Sequence, residues 1–240
     1  MAITVLTWNL HGSARPDLDA VVEQLRVMAP DVAAVQEVQH GQAIAIARAL
    51  GWASAHWSFK HFPVVKAPEG LAVLSPHRLE EARTVVLSRC IPPWSHRRRI
   101  AQLVRLRLAD RIVPLANTHL ASGDARARLP QARRLLGVLQ PGTLVVGDLN
   151  DRPGSDVLGL FTAAGLRDTW GALHPDAAEA DGATHWRPRD QDERPTRRLD
   201  YVLAPQGDHL LAATVPTAAD SDLGAYRRLS DHLPLTTRLD

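Results

Sequence analysis

Polar residues able to bind a metal or move a proton recur where the apolar runs of this 240-residue chain stop. Asn9 follows Ile3-Thr4-Val5-Leu6-Thr7-Trp8, and Glu37 follows Val32-Ala33-Ala34-Val35-Gln36. His119 follows Leu115-Ala116-Asn117-Thr118, and Asp148 and Asn150 follow Leu144-Val145-Val146-Gly147. Asp200 lies within Arg198-Leu199-Asp200-Tyr201-Val202, and Asp231-His232 precede Leu233-Pro234-Leu235. Carboxylates and amides offer oxygen to hard cations. A carboxylate between apolar neighbours needs a partner if buried, and His232 is a candidate partner for Asp200. A strand end is a stiff platform for such groups. If the strands lie side by side, these residues share one rim.

The elements that must position them are read from periodicity. Strands are expected at 3–8, 31–36, 70–75, 82–88, 100–108, 112–118, 143–146, 198–203, 209–215 and 233–239. Helices are expected at 16–28, 42–50 (closed by Gly51), 124–139 and 155–164 (closed by Gly165). Residues 174–197, polar and proline-bearing, read as a long surface loop. Hairpins mixed with strand–helix–strand units argue for layered α/β. No linker divides the chain, so a single domain over 1–240 is expected.

In order, Thr7-Trp8-Asn9-Leu10-His11-Gly12, Gln36-Glu37-Val38, Asn117-Thr118-His119-Leu120, Gly147-Asp148-Leu149-Asn150, Arg198-Leu199-Asp200-Tyr201-Val202 and Ser230-Asp231-His232-Leu233-Pro234 resemble the motifs of the endonuclease/exonuclease/phosphatase superfamily. That group includes deoxyribonuclease I, exonuclease III, neutral sphingomyelinases, inositol polyphosphate 5-phosphatases and deadenylases. The resemblance spans nearly the whole chain. It implies a four-layer α/β sandwich, two packed mixed β-sheets with helices on the outer faces, and divalent-metal hydrolysis of a phosphate ester. By the same resemblance Glu37 is the principal Mg²⁺ ligand, with Asn9 and Asp231 completing or neighbouring the metal and phosphate shell; Mn²⁺ is the alternative ion. Asp148 orients or deprotonates the attacking water, and Asn150 holds water and phosphate. Asp200 orients His232, which acts on the phosphoryl centre, while His119 stabilises phosphate oxygens or assists the leaving group.

These types suit the chemistry. An anionic ester repels hydroxide unless a cation neutralises its oxygens, and Mg²⁺ needs few protein oxygens because it keeps several waters. An Asp beside a His fixes the imidazole tautomer and favours its charged form. Asp148 and His232 both stand as candidate bases. Two features depart from the exonuclease III branch: His11 occupies the place of an Asp two residues after the first Asn, and Asn117-Thr118-His119-Leu120 replaces a tyrosine-bearing motif. Both turn the resemblance away from abasic-site repair.

Composition sets the remaining bounds. Hydrophobic residues make up 45% and charged residues 22%, ordinary for a globular chain, and the net charge is +2. Only Lys60 and Lys66 among the 28 basic residues are lysines, so the positive charge is almost all guanidinium, suited to phosphates. One cysteine, Cys90, excludes an internal disulfide framework or thiolate zinc cluster. No run is apolar enough for a membrane span, and the N-terminus reads as a strand rather than a signal peptide, so a cytoplasmic protein is expected. Arg98 and Arg99 of the run Arg97-Arg98-Arg99, Arg126 with Arg128, and Trp186 are candidate substrate contacts, as is a rim loop at 62–66. The partner expected is a phosphate-ester substrate, nucleic acid or nucleotide-like. The alternatives are a phospholipid or inositol-phosphate esterase and a catalytically dead scaffold. A zinc hydrolase lacks its His-Glu-x-x-His signature.

Overall fold

The computed structural model describes residues 1–61, 67–88, 98–187, 193–219 and 221–240. In chain order its elements are β1 (Ile3–Asn9), α1 (Leu18–Met28), β2 (Val32–Gln39), α2 (His40–Leu50), β3 (Ser54–His61), β4 (Glu69–Ser75), β5 (Arg78–Val86), β6 (Ile100–Arg107), β7 (Ile112–His119), α3 (Ala125–Leu136), β8 (Leu144–Asp148), α4 (Asp156–Ala163), β9 (Leu166–Asp168), α5 (Thr169–Leu173), β10 (Asp200–Pro205), β11 (Leu210–Thr214), α6 (Leu223–Leu229) and β12 (Leu235–Leu239). They form two six-stranded sheets, ordered β11-β12-β1-β2-β4-β3 and β5-β6-β7-β8-β10-β9.

The two-residue period of the strands decides the layering. In β8, Leu144 and Val146 join the core that fills the space between the sheets, whereas Val145 faces Ala132 and Leu135 of α3 and Phe161 of α4. In β10, Val202 and Ala204 turn inward while Tyr201 and Leu203 face those helices. Both faces of the central strands are thus buried, which is why they read as continuous apolar runs. α1 and α2 cover the other sheet through Val21, Val22, Leu25, Ala43 and Ile46. This is the expected sandwich of two mixed sheets with helices outside.

Several boundaries differ from the periodicity reading. α1 starts at Leu18 because the Asp17 carboxylate caps it, accepting from the N–H groups of Asp19 and Ala20. β3, β9, α5 and α6 are additions to the expected elements. β3 lies at a sheet edge with only part of its surface covered, so its sequence Ser-Ala-His-Trp-Ser-Phe-Lys-His carries no apolar run. The others span three, five and seven residues, too few to display a period. The loop expected at 174–197 is partly ordered: a 3₁₀ turn covers Glu179–Gly182, and His185 bridges in strand fashion to both Arg197 and His232. Residues 62–66 and Arg97 lie outside the described residues.

Candidate active site

Strand register brings the polar ends to one rim. β1 and β2 run parallel, as do β7 and β8, so Asn9 and Glu37 finish near one another and His119 stands opposite Asp148. β10 runs antiparallel to β8 and begins with Asp200 opposite Asp148. β12 is antiparallel to β1, which sets Asp231 and His232 just before it at the same rim. Glu37 does not end β2, as the apolar run suggests. It occupies a bulge between Gln36 and Val38 with φ of 52°, and a bulge re-aims a side chain. Below the rim, Gln36 donates to Asn117 Oδ1 across the sheets (2.9 Å), and Asn117 donates to Gln102 Oε1 (3.1 Å) and to the Val35 and Ala72 carbonyls. This buried network ties the two sheets together directly under the site.

Asp148 is the hub. Its Oδ2 accepts from Asn9 Nδ2 (3.1 Å) and lies 3.6 Å from His119 Nε2 and 3.8 Å from His232 Nε2. Its Oδ1 accepts from the Asn150 backbone N–H at 2.8 Å, and Asn150 Nδ2 donates to the Leu120 carbonyl. His232 Nδ1 is 2.7 Å from Asp200 Oδ2. The Trp8 indole donates to the His232 carbonyl, and Ser230 Oγ joins the Asn9 carbonyl to the His232 N–H. Glu37 Oε1 is 3.7 Å from His119 Nδ1, and Asp231 pairs with His11 at 3.3 Å. Asn9, Glu37, His119, Asp148, Asn150, Asp200, Asp231 and His232 therefore share one constellation.

Burial sets the electrostatics. For His232, desolvation works against the charged ring but is outweighed by Asp200, with help from Asp148 and Asp231, so the group rises to about 10. Burial pushes Asp148 up to about 7 despite the His232 charge. Burial also works against the Asp231 carboxylate, yet the His11 hydrogen bond and the His232 charge bring it down to about 2. His119 is held well below its ordinary value by burial and by the Lys60 and Arg99 charges.

Lys60 and Glu69 join the site without any mark in the sequence. Lys60, 1% exposed at the end of β3, places Nζ 3.2 Å from His119 Nδ1. Burial and Arg99 lower its pKa to about 8, opposed by Glu37, Glu69 and Asp148. A charged lysine only donates, so His119 Nδ1 accepts and the ring proton resides on Nε2, the nitrogen facing Asp148. Glu69 begins β4, accepts from the Ser13 N–H (2.8 Å), and is raised by burial and then by the Glu37 charge. His185 packs edge-on against His232 (4.5 Å between centroids) and accepts at Nδ1 from Arg197 (3.2 Å); burial and the His232 charge lower it to about 4, so it is neutral with its proton on Nε2.

The substrate-contact candidates separate. Trp186 is 1% exposed with Arg227 over its ring, so the expectation that it stacks on a base from a surface loop is corrected: its backbone N–H pairs with the Asp231 carbonyl and draws the indole into the core. Arg98 donates to the Phe59 and Lys60 carbonyls, and Arg99 is buried with Nη2 3.4 Å from Ser122 Oγ. Arg126 is exposed on α3; Arg128, not Arg126, lines the cavity beside Asn150.

The donor set fits a hard divalent cation. Glu69 is raised first by burial and then by the charge of Glu37, which places the two carboxylates within electrostatic reach, and Asn9 Oδ1, which accepts from the His11 N–H, keeps a second lone pair. Ligating atoms also gather in Asp148-Asp200-His232 and His185-Asp231-His232, within 4.8 Å of one another. His232 is paired with Asp200 and His185 accepts from Arg197, so what these groups offer a cation is chiefly carboxylate oxygen, which suits a hard divalent ion.

Two packed six-stranded sheets whose shared rim gathers carboxylates and an Asp-paired histidine define an α/β sandwich with an acid–base site fit for a hard divalent cation. The chain belongs to the Endonuclease/Exonuclease/phosphatase family, whose profile it matches over residues 6–232. Among solved structures, an endonuclease/exonuclease/phosphatase from Beutenbergia cavernae is 23% identical with a TM-score of 0.78, covering 99% of this chain and 71% of that one. The human nocturnin catalytic domain with bound sulfate is 22% identical (TM-score 0.75; 100% and 93% covered). D. rerio TDP2 complexed with single-strand DNA product is 14% identical (TM-score 0.74; 100% and 99%). A DNA repair protein RecO from Anaeromyxobacter sp. is 43% identical over 61 residues, 25% of this chain; the chain spans about a quarter, 24%, of that curated relative's length.

Proposed function

We propose that this protein is a Mg²⁺-dependent phosphodiesterase, with Mn²⁺ as a substitute ion, acting on nucleic acid or a nucleotide-like ester in the cytoplasm. The observation that carries the reading is Asp148, a buried carboxylate facing Asn9, His119 and His232 at once. Glu37 and Asn9 would hold the cation, with Asp231 beside them. When bound, that cation supplies charge neutralisation at the phosphoryl oxygens.

The chain's own residues do the rest. Asp200 keeps His232 protonated, so His232 Nε2 donates to phosphoryl oxygen and stabilises the charge that develops there. A protonated His232 leaves Asp148 as the base: Asp148 Oδ2 takes the proton of the attacking water, whose position Asn150 fixes. Neutral His119 presents its Nε2–H as a second donor, held in that tautomer by Lys60. The diester reading is supported by the guanidinium groups of Arg128, Arg152 and Arg197 beside Asn150. A lipid enzyme needs an apolar rim. The large exposed apolar side chains among the described residues, such as Val27, Ile44, Val86 and Leu211, lie on helices and strands rather than on the loops around the site. The lone cysteine is in keeping with a reducing compartment.

The test is a substrate panel, with Mg²⁺ and with EDTA: plasmid DNA, single strands, RNA, bis-p-nitrophenyl phosphate, sphingomyelin and inositol phosphates. EDTA-sensitive turnover of the nucleic acids and the aryl diester is expected. Turnover confined to sphingomyelin or inositol phosphates, or none at all, would overturn the reading.

A further inference from the structure

A cavity of about 350 Å³ opens beside Asn150. Arg128, Arg152 and Arg197 line it, together with Ser122 and Asp151, its one acidic residue. Arg128 is fixed there. Its Nε donates to Asp151 (3.1 Å) and its Nη1 to the Ala121 carbonyl (3.2 Å), while Nη2 makes no hydrogen bond among the described residues. Arg152 is exposed, and its guanidinium has neither a hydrogen bond nor an ion pair among the described residues. Arg197 is anchored through His185. Asp151 offsets the Arg128 charge, and the Arg152 guanidinium adds a positive charge next to a residue of the reaction centre. Structural ion pairing does not account for Arg152, and a neutral ligand does not call for several guanidinium forks. A phosphate does, because each of its oxygens accepts charge-assisted hydrogen bonds.

We propose that the cavity walled by Arg128, Arg152 and Arg197 is a subsite for a second phosphate of the same substrate, adjoining the one that is cleaved. The proposal rests on the phosphodiesterase reading for the neighbouring centre and deepens it: the preferred ester carries a phosphate on one side of the scissile bond. That phosphate is either the next link of an oligonucleotide or a terminal phosphomonoester on the nucleoside that flanks the scissile diester.

Binding tests this separately from turnover. In the Asp148→Asn variant with Mg²⁺, calorimetry compares the dinucleotide TpT with its 5′- and 3′-phosphorylated forms, pTpT and TpTp. One of the two phosphorylated forms, the one whose added group reaches the cavity, is expected to bind at least about tenfold more tightly than TpT, the scale of a hydrogen bond to a charged group. Adding Arg152→Ala, an exposed change that leaves the Arg128–Asp151 pair intact, is expected to shrink that advantage to less than about threefold. Arg128→Ala serves as the second variant. Equal binding of all three dinucleotides, or an advantage that survives both replacements, overturns the proposal. The trinucleotide TpTpT compared with TpT identifies the source: a matching gain there assigns the subsite to the next link of a strand, and a gain seen only with a phosphorylated dinucleotide assigns it to a terminal phosphomonoester. If the unsubstituted protein hydrolyses no ester while the binding advantage holds, the phosphodiesterase reading fails and the subsite stands.

Discussion

Asp200 Oδ2 and His232 Nδ1 are 2.7 Å apart, both residues are buried, and Asp200 Oδ1 makes no hydrogen bond among the described residues. The carboxylate is thus committed to one imidazole. Replacing Asp200 with Asn removes the charge that outweighs burial in His232, so His232 should titrate far below about 10. An imidazolium lost from the transition state should cost roughly 10²–10⁴-fold in kcat. The pair also carries a pH-dependent share of stability: fully present below the unfolded histidine value of about 6.5 and lost as pH rises through about 10. Histidine NMR titration beside kcat checks both; an unmoved resonance would refute the pairing.

Asp148→Asn should abolish measurable hydrolysis and yet raise the Tm of the metal-free protein at pH 8. The sign follows from burial, which lifts Asp148 to about 7. Between about pH 4 and 7 the folded state holds a proton that the unfolded state has released, so stability falls as pH rises through that window. Asn, neutral at every pH, is spared this. Thermal scans at pH 5 and pH 8 should show a larger advantage for the variant at the higher pH; an advantage of equal size at both would count against a buried carboxylate.

Lys60→Met should lower kcat by about 10–100-fold, the range for losing a charge-assisted hydrogen bond. Without the ammonium, His119 loses its donor at Nδ1 and one of the charges that depress it. Its neutral ring should then populate the Nδ1–H tautomer, visible in ¹⁵N shifts. Undisturbed ¹⁵N shifts would leave Lys60 a packing residue.

Glu37→Gln should raise the Mg²⁺ concentration for half-maximal rate by about tenfold or more, since even outer-sphere changes at metal sites cost roughly 10–100-fold in affinity. The bulge at Glu37 aims its carboxylate into the site. A metal titration identical to that of the unsubstituted protein would release Glu37 from ligation.

Gly147→Ala should cost more than about 4 kcal/mol, among the most damaging single changes. Gly147 has φ of 135°, and a Cβ there would meet the Thr118 carbonyl oxygen at 1.9 Å across the β7–β8 pairing. Denaturant unfolding reads this; a variant with an unchanged midpoint would show that the two strands can part without loss.

Which side chains can do chemistry, and that they end strands, is legible along the chain. Leu144, Val145 and Val146 carry their own signal because both faces of their sheet are buried, and Asp148 and Asn150 interrupt it. Periodicity suggests layered α/β, and the four-layer sandwich is implied only through the family that the ordered motifs resemble. Lys60, Glu69 and His185 carry no comparable mark. Lys60 ends a polar edge strand, Glu69 precedes an ordinary apolar run, and His185 lies in a stretch that reads as loop. Each acquires its character from a neighbour distant in sequence: Lys60 from His119, Glu69 from Glu37 through the β2–β4 register, His185 from Arg197 and His232. Trp186 shows the converse, a residue suited to stacking that the fold buries. Local pattern reports backbone geometry and apolar faces. Charge state, tautomer and access depend on what packs around a group in three dimensions, and only the tertiary structure decides that.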